Sequence, residues 1–147
     1  MTVVDDRPVD AAKAPPGGGL VLDVRGHASN VPFARNWSRD MLSDLEPSLA
    51  GDAVQLVSEL VVISIFNARD DADRMIRVEL GVRSSLVTVR VTGYMGAAEA
   101  EWSEEESTSL GYGLMIVNAL ATGWGDDMSG TRHRLWAEIA RKSKGKK

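Results

Sequence analysis

The segment from Ala53 to Ala68 restricts the fold most, because it has the length of a helix and is apolar around most of its circumference. Gly51-Asp52 starts it, and apolar residues then recur with a helical period on one face. Leu56, Val62 and Ile63 add apolar bulk elsewhere on its surface. A helix of this kind is buried on most sides, so the sequence predicts that other elements pack around it.

Two elements are predicted before this helix. Residues 20–24 alternate between apolar and polar side chains, which is typical of an edge strand. A helix-start signal follows at residues 29–32, and the helix that it opens ends before Pro47. Its apolar residues recur every fourth position, and we expect this stripe to face the core. The stripe consists of Phe33, Trp37, Met41 and Leu45, and Ala34 and Leu42 widen it.

Two hairpins are predicted after the apolar helix. Residues 76–80 and 87–91 alternate on either side of a short turn, which favours an antiparallel pair of strands. Residues 124–128 and 131–139 form a closing hairpin around Ser129-Gly130.

The stretch between the hairpins has a different composition. Residues 93–109 include five glutamates between Glu99 and Glu106 and show no clear apolar stripe, which favours a mobile surface loop with at most a turn of helix. A short helix is predicted after Gly113, over residues 114–121.

The order of these elements predicts an α+β fold, a two-layer sandwich whose mixed, mostly antiparallel sheet has helices on one face. Residues 20–140 would form this single domain. Residues 1–19 end in Ala14-Pro-Pro-Gly-Gly-Gly19 without periodicity and are predicted to be a disordered leader. Residues 141–147 are predicted to be a basic tail.

Composition excludes several kinds of site and partner. The chain has no cysteine and only two histidines, so thiolate chemistry is excluded and no metal site is expected. The net charge is −4, and the 131 residues before Arg132 sum to −10, which argues against a nucleic-acid partner. No uninterrupted apolar run approaches the roughly 20 residues of a membrane span, so we expect a cytoplasmic protein without a membrane partner.

Three blocks of sequence together resemble a known family. They are Ser58-Glu59-Leu60-Val61 on the apolar helix, Gly111-Tyr-Gly-Leu114, and Trp124-Gly125 ahead of Leu135-Trp136-Ala137-Glu138. In this order they resemble the histidine-kinase-like ATPases (GHKL, Bergerat fold), and within them the small anti-sigma-factor serine kinases. The resemblance spans residues 20–140 and implies a Bergerat-type sandwich.

The resemblance implies an ATP site of three elements, and this chain departs from two of them. The first is a helical Glu-x-x-x-Asn motif that provides a general base and a magnesium ligand. Glu59 matches the glutamate, but Ile63 stands at the asparagine position and has no oxygen for a hard cation. Catalysis by Glu59 is therefore not expected, and its alternative role is that of a partly exposed helix residue.

The second element is an Asp-x-Gly segment that recognises adenine, and here Gly93 stands at the aspartate position. The third is a Gly-x-Gly-Leu segment whose backbone amides approach phosphate, and it is retained as Gly111, Gly113 and Leu114. The structural alternative for this segment is a tight turn from loop to helix.

With two elements lost, we expect a degenerate anti-sigma-like regulator that binds no cofactor. The resemblance implies a sigma factor or a STAS-domain anti-anti-sigma protein as the partner, and a homodimer is compatible with it. Candidate contact residues are Arg35 and Arg39 on the first helix and Trp102 in the acidic loop, residues 97–109. Trp102 is either an anchor for a partner or tucked against its own domain.

Two alternative functions stay open at this point. One is an active ATP- and magnesium-dependent serine kinase with an unusual site. The other is a homodimeric scaffold or a small-ligand binder that has reused the pocket of the sandwich.

Overall fold

The computed structural model describes residues 19–68, 73–96 and 103–141. Within these described residues, five strands and three α-helices follow each other in the predicted order, and a short 3-10 helix (Ala28–Asn30) precedes the first α-helix. They are β1 (Leu20–Arg25), α1 (Val31–Met41), α2 (Pro47–Ala68), β2 (Met75–Val82), β3 (Leu86–Tyr94), α3 (Glu104–Leu120), β4 (Gly123–Ser129) and β5 (Arg132–Ala140). The leader before Gly19 and the tail after Arg141 lie outside the described residues.

The strands form one sheet in the order β1-β2-β3-β5-β4, and every neighbouring pair is antiparallel. Short turns connect β2 to β3 and β4 to β5, and short turns permit only antiparallel pairing. Gly130, with φ of +64°, supplies the left-handed residue of the β4–β5 turn. The predicted α+β two-layer sandwich is therefore confirmed, with an antiparallel sheet where a mixed one was expected.

The core lies between one face of the sheet and α2. Because side chains alternate along a strand, Val78, Val89 and Leu135 share that face and are buried against the helices. Helix α2 buries residues on most of its circumference, as its composition predicts. α1 and α3 pack on either side of α2 and complete the helical layer.

Helix α1 turns only part of its predicted face to the core, including Ala34 and the following Leu42. Its buried residues are Val31, Ala34 and Ser38, while Phe33 is 54% exposed and Met41 is 41% exposed. The predicted stripe of every fourth residue drifts around a helix of 3.6 residues per turn, so it does not stay on the face that meets the core. Trp37 and Leu45 pack against the edge of the core. The prediction is wrong for Phe33 and Met41.

Helix α3 begins earlier than predicted, at Glu104, so residues 104–109 are helical rather than a loop. The cause is a capping box, in which Ser103 Oγ accepts from the Glu106 amide and the Glu106 carboxylate accepts from the Ser103 amide. Helix α2 likewise begins at Pro47 rather than at Gly51, with proline in the first turn, where its missing amide hydrogen is not needed.

By length and composition alone, α2 is long and apolar enough to span a membrane. Half of its most apolar window is buried inside this domain, and the core helix of a soluble protein meets the same criteria. The finding is therefore weak evidence for a membrane segment.

Candidate functional site

The residues that the resemblance assigns to an ATP site lie on three elements. Glu59 and Ile63 belong to α2, Gly93 lies near the end of β3, and Gly113 belongs to α3. The structure brings two pairs of residues close together here. Glu59 of α2 lies against Gly113 of α3, and Ser64 of α2 lies against Gly93 of β3. The candidate site is therefore the junction of α2 with α3 and with the end of β3.

Ile63 belongs to the hydrophobic core. Its side chain is only 4% exposed and packs in the cluster between the helices and the sheet. An aliphatic side chain in these surroundings offers no oxygen to a cation. Across residues 19–68, 73–96 and 103–141, no group of three or more His, Asp or Glu side chains is arranged to hold a metal ion.

Gly93 is in close contact with α2. A β-carbon built on Gly93 would collide with Oγ of Ser64, and Ser64 itself is buried. An aspartate at this position, as in the family motif, would need the space that Ser64 Oγ occupies. Its carboxylate would also need access to solvent. The close approach of strand and helix therefore explains why glycine stands here.

A polar network lies beside Gly93 on the same face of the sheet. His133 stands directly opposite Gly93 in the β3–β5 register. Its Nδ1 lies 3.0 Å from Nδ2 of Asn67, and its Nε2 lies 2.8 Å from a carboxylate oxygen of Asp126. With the amide nitrogen of Asn67 facing Nδ1, this geometry fits the tautomer in which Nδ1 accepts from Asn67 and Nε2–H donates to Asp126.

This network was not predicted from the sequence. In the sequence, Asn67 is a polar residue about one helical turn beyond Ile63, and His133 is one of two histidines. No local signal connects α2 with β4 and β5, because their pairing depends on the fold. The buried imidazole of His133 fills the region next to the position that the resemblance assigns to adenine recognition.

The Gly-x-Gly segment does not lie at a helix start. Gly111 and Gly113 are interior residues of α3, which begins at Glu104. Interior amides of a helix donate to carbonyl groups one turn earlier, so these amides are not available to a phosphate. Leu114, the last residue of the segment, packs against the core. The sequence prediction of a loop-to-helix turn at this position is wrong.

Glu59 is held by its surroundings on α2 and α3. One carboxylate oxygen, Oε2, accepts a hydrogen bond of 2.7 Å from Gln55. The other, Oε1, would lie 2.9 Å from a β-carbon built on Gly113. Glycine at position 113 therefore allows α3 to approach the Glu59 carboxylate closely.

The predicted partner residues have different environments. Arg35 is partly buried and donates from Nη2 to Ser58 Oγ at 2.8 Å, so it links α1 to α2 rather than standing free at the surface. Arg39 is exposed and donates to Asn36 within α1. Trp102 lies outside the described residues.

No protein-family model matches this sequence, and a search of curated proteins finds no relative.

Proposed function

We propose that this protein is a regulatory protein-binding module, similar in organisation to the anti-sigma serine kinases, that works without nucleotide. Its partner would be a sigma factor or a STAS-domain anti-anti-sigma protein in the cytoplasm. The proposal rests on the resemblance of the sequence blocks and on the packing at the positions that the resemblance assigns to ATP.

One observation supports the loss of nucleotide most directly: side chains are closely packed at the positions that the resemblance assigns to ATP. Ile63 is part of the core, Ser64 lies against Gly93, and the Glu59 carboxylate lies against Gly113. Helix α3 packs against α2 at these positions and buries Val117. Contact with another protein does not require a nucleotide pocket.

The exposed part of α1 is the surface that we assign to the partner. Phe33 and Met41 are two of the large apolar side chains that remain accessible, and Arg39 lies on the same helix. Phenylalanine, methionine and arginine are all enriched at protein interfaces relative to the rest of the protein surface.

The test is a binding titration against the sigma factors and STAS-domain proteins of the same genome, with and without Mg-ATP. We expect one of them to bind with an affinity that Mg-ATP leaves unchanged. Binding that requires Mg-ATP, or phosphorylation of a STAS-domain serine, would instead establish the active-kinase alternative. If no protein of either class binds, the proposal is wrong.

A pair of variants tests the surface. Phe33→Ser combined with Met41→Ser should weaken the complex by about 2 kcal/mol or more, as expected for apolar anchors. Met128→Ser is the matched control, because Met128 is equally exposed but lies on β4, the far edge of the sheet. Equal effects of the two changes would remove α1 from the interface.

A further inference from the structure

The solvent-facing side of α3 is apolar at its centre. Among the described residues, the two large apolar side chains with the greatest exposure are Tyr112, at 62%, and Met115, at 63%. Residues three and four apart lie on one face of a helix, so Glu104, Thr108 and Gly111 belong to the same side as this pair. We call this side the α3 surface. Its residues are all exposed, and they are Glu104, Thr108, Gly111, Tyr112, Met115 and Ala119.

Gly111 has no contact within the domain that explains it. A β-carbon built on Gly111 would meet no atom within 4 Å, whereas Gly113, on the buried side of α3, lies against Glu59. The backbone at Gly111 is helical, so no left-handed conformation requires glycine there. Glycine weakens a helix interior relative to alanine. A glycine with open space beside two exposed apolar side chains leaves room for a molecule outside the chain to approach closely.

The beginning of the α3 surface is acidic. Glu104 and Glu105 are exposed in the first turn, and neither forms an ion pair with any residue that the structure describes. Glu106, in contrast, is held in the capping box. Helix α3 contains no lysine, arginine or histidine between Glu104 and Leu120. A binding partner with cationic side chains is therefore electrostatically complementary to this end of the helix.

We propose that the α3 surface binds an amphipathic helix of another protein, one that carries a leucine-rich stripe with lysine or arginine beside it. The stripe lies against Tyr112 and Met115, and the cations lie against Glu104 and Glu105. Tyrosine and methionine are enriched at protein interfaces, and an amphipathic helix presents its apolar anchors with the same spacing of three and four residues. At Gly111 the absence of a side chain lets the two helices pack closely. The site goes beyond the proposed function, because it lies on α3 and leaves α1 free for its own partner.

A second copy of the chain fits the α3 surface less well. In an antiparallel pair of α3 helices, Glu104 and Glu105 of one copy would face the C-terminal end of the other helix, which is the negative end of its dipole. In a parallel pair, the glutamates of the two copies would face each other. Since α3 has no basic residue to offset either contact, a partner of opposite charge is favoured.

The probe that tests the proposal is a synthetic helix-forming peptide of leucine and lysine, about 18 residues long, with its leucines on one helical face. One control peptide has glutamate in place of lysine, and the other has the same composition in alternating order, without a helical apolar face. The peptides are titrated into the full chain carrying isotope-labelled methionine methyl groups. These groups mark separate surfaces, with Met115 on α3, Met41 at the end of α1 and Met128 on β4.

We expect the leucine-lysine peptide to shift the methyl signal of Met115 and to leave those of Met41 and Met128 unchanged. The peptide with glutamate should bind at least about tenfold more weakly, because its charge repels the first turn of α3. The alternating peptide should bind no better, since it has no apolar face to place on Tyr112 and Met115.

A matched pair of glycine variants tests the close approach. Gly111→Gln fills the open space on α3, and Gly51→Gln does the same at an exposed glycine of α2 that also has no atom within 4 Å of a built β-carbon. Glutamine is a better helix former than glycine, so both variants should fold. We expect Gly111→Gln to weaken binding of the leucine-lysine peptide at least about tenfold and Gly51→Gln to leave it unchanged.

Four outcomes would overturn the proposal. They are no shift of the Met115 signal, equal shifts of the three methionine signals, equal binding of the lysine and glutamate peptides, and equal affinity of the two glycine variants. A Met115 signal that moves with protein concentration in the absence of peptide would also overturn it, because a second copy would then occupy the α3 surface.

Discussion

At the scale of single residues, two glycines stand where a helix approaches a strand or another helix closely. Gly93 faces Ser64 and Gly113 faces Glu59, while a β-carbon on Gly111 would meet no atom within 4 Å. The two glycines of the Gly-x-Gly segment therefore have different surroundings. Gly113 permits a contact between helices, whereas Gly111 has open space around it.

The Gly93–Ser64 contact leads to a double-mutant prediction. Gly93→Ala should lower the free energy of unfolding by about 1–3 kcal/mol, because the new methyl group collides with Ser64 Oγ. In a Ser64→Ala background most of that loss should disappear, since the β-carbon of residue 64 lies at an ordinary contact distance of 3.6 Å. Urea unfolding of the four proteins measures the coupling, and additive effects would show that the clash is not the cause.

At the scale of elements, α3 shows how a capping signal determines where a helix begins. The Ser103–Glu106 capping box starts the helix in a glutamate-rich stretch without an apolar stripe. The acidic first turn also suits the helix dipole. As a result the Gly-x-Gly segment lies in the helix interior, where two glycines weaken the helix instead of presenting amides to an anion.

Helix α3 therefore offers a matched pair of substitutions. Gly111→Ala should raise the free energy of unfolding by about 0.5–1 kcal/mol, because alanine is the better helix former and the site has space. Gly113→Ala should give a smaller gain or none, because the Glu59 side chain must move away. Thermal or urea unfolding measures both, and an equal gain at the two positions would contradict the close packing of α3 on Glu59.

At the scale of the whole molecule, one sheet separates two kinds of surface. Its inner face holds the apolar core, and its outer face, opposite the helices, holds ion pairs around the buried Arg90. The proposed loss of nucleotide binding concerns the helical layer, on the inner side of the sheet.

The whole-molecule prediction concerns Mg-ATP. At low-millimolar Mg-ATP we expect no rise in melting temperature, whereas a ligand at 100 times its dissociation constant would add about 2.7 kcal/mol of stability. Ile63→Asn with Gly93→Asp restores the family residues and should unfold the domain more easily, by several kcal/mol, because both polar groups would be buried. If that variant keeps its stability and gains Mg-ATP binding, the pocket is open.

The sequence by itself determined the type, order and approximate limits of most elements, because helical period, strand alternation and turn residues are local properties. The burial of α2 could be predicted in the same way. So could the two hairpins and the two-layer sandwich. Only the tertiary structure decided which face of α1 meets the core and that Asn67, His133 and Asp126 join in one network. It also decided that Gly93 is closed off by Ser64 and that Arg90 is buried on the outer face. These features depend on strand register and on packing between segments that are distant in the chain. No local sequence pattern encodes which of these segments will be in contact.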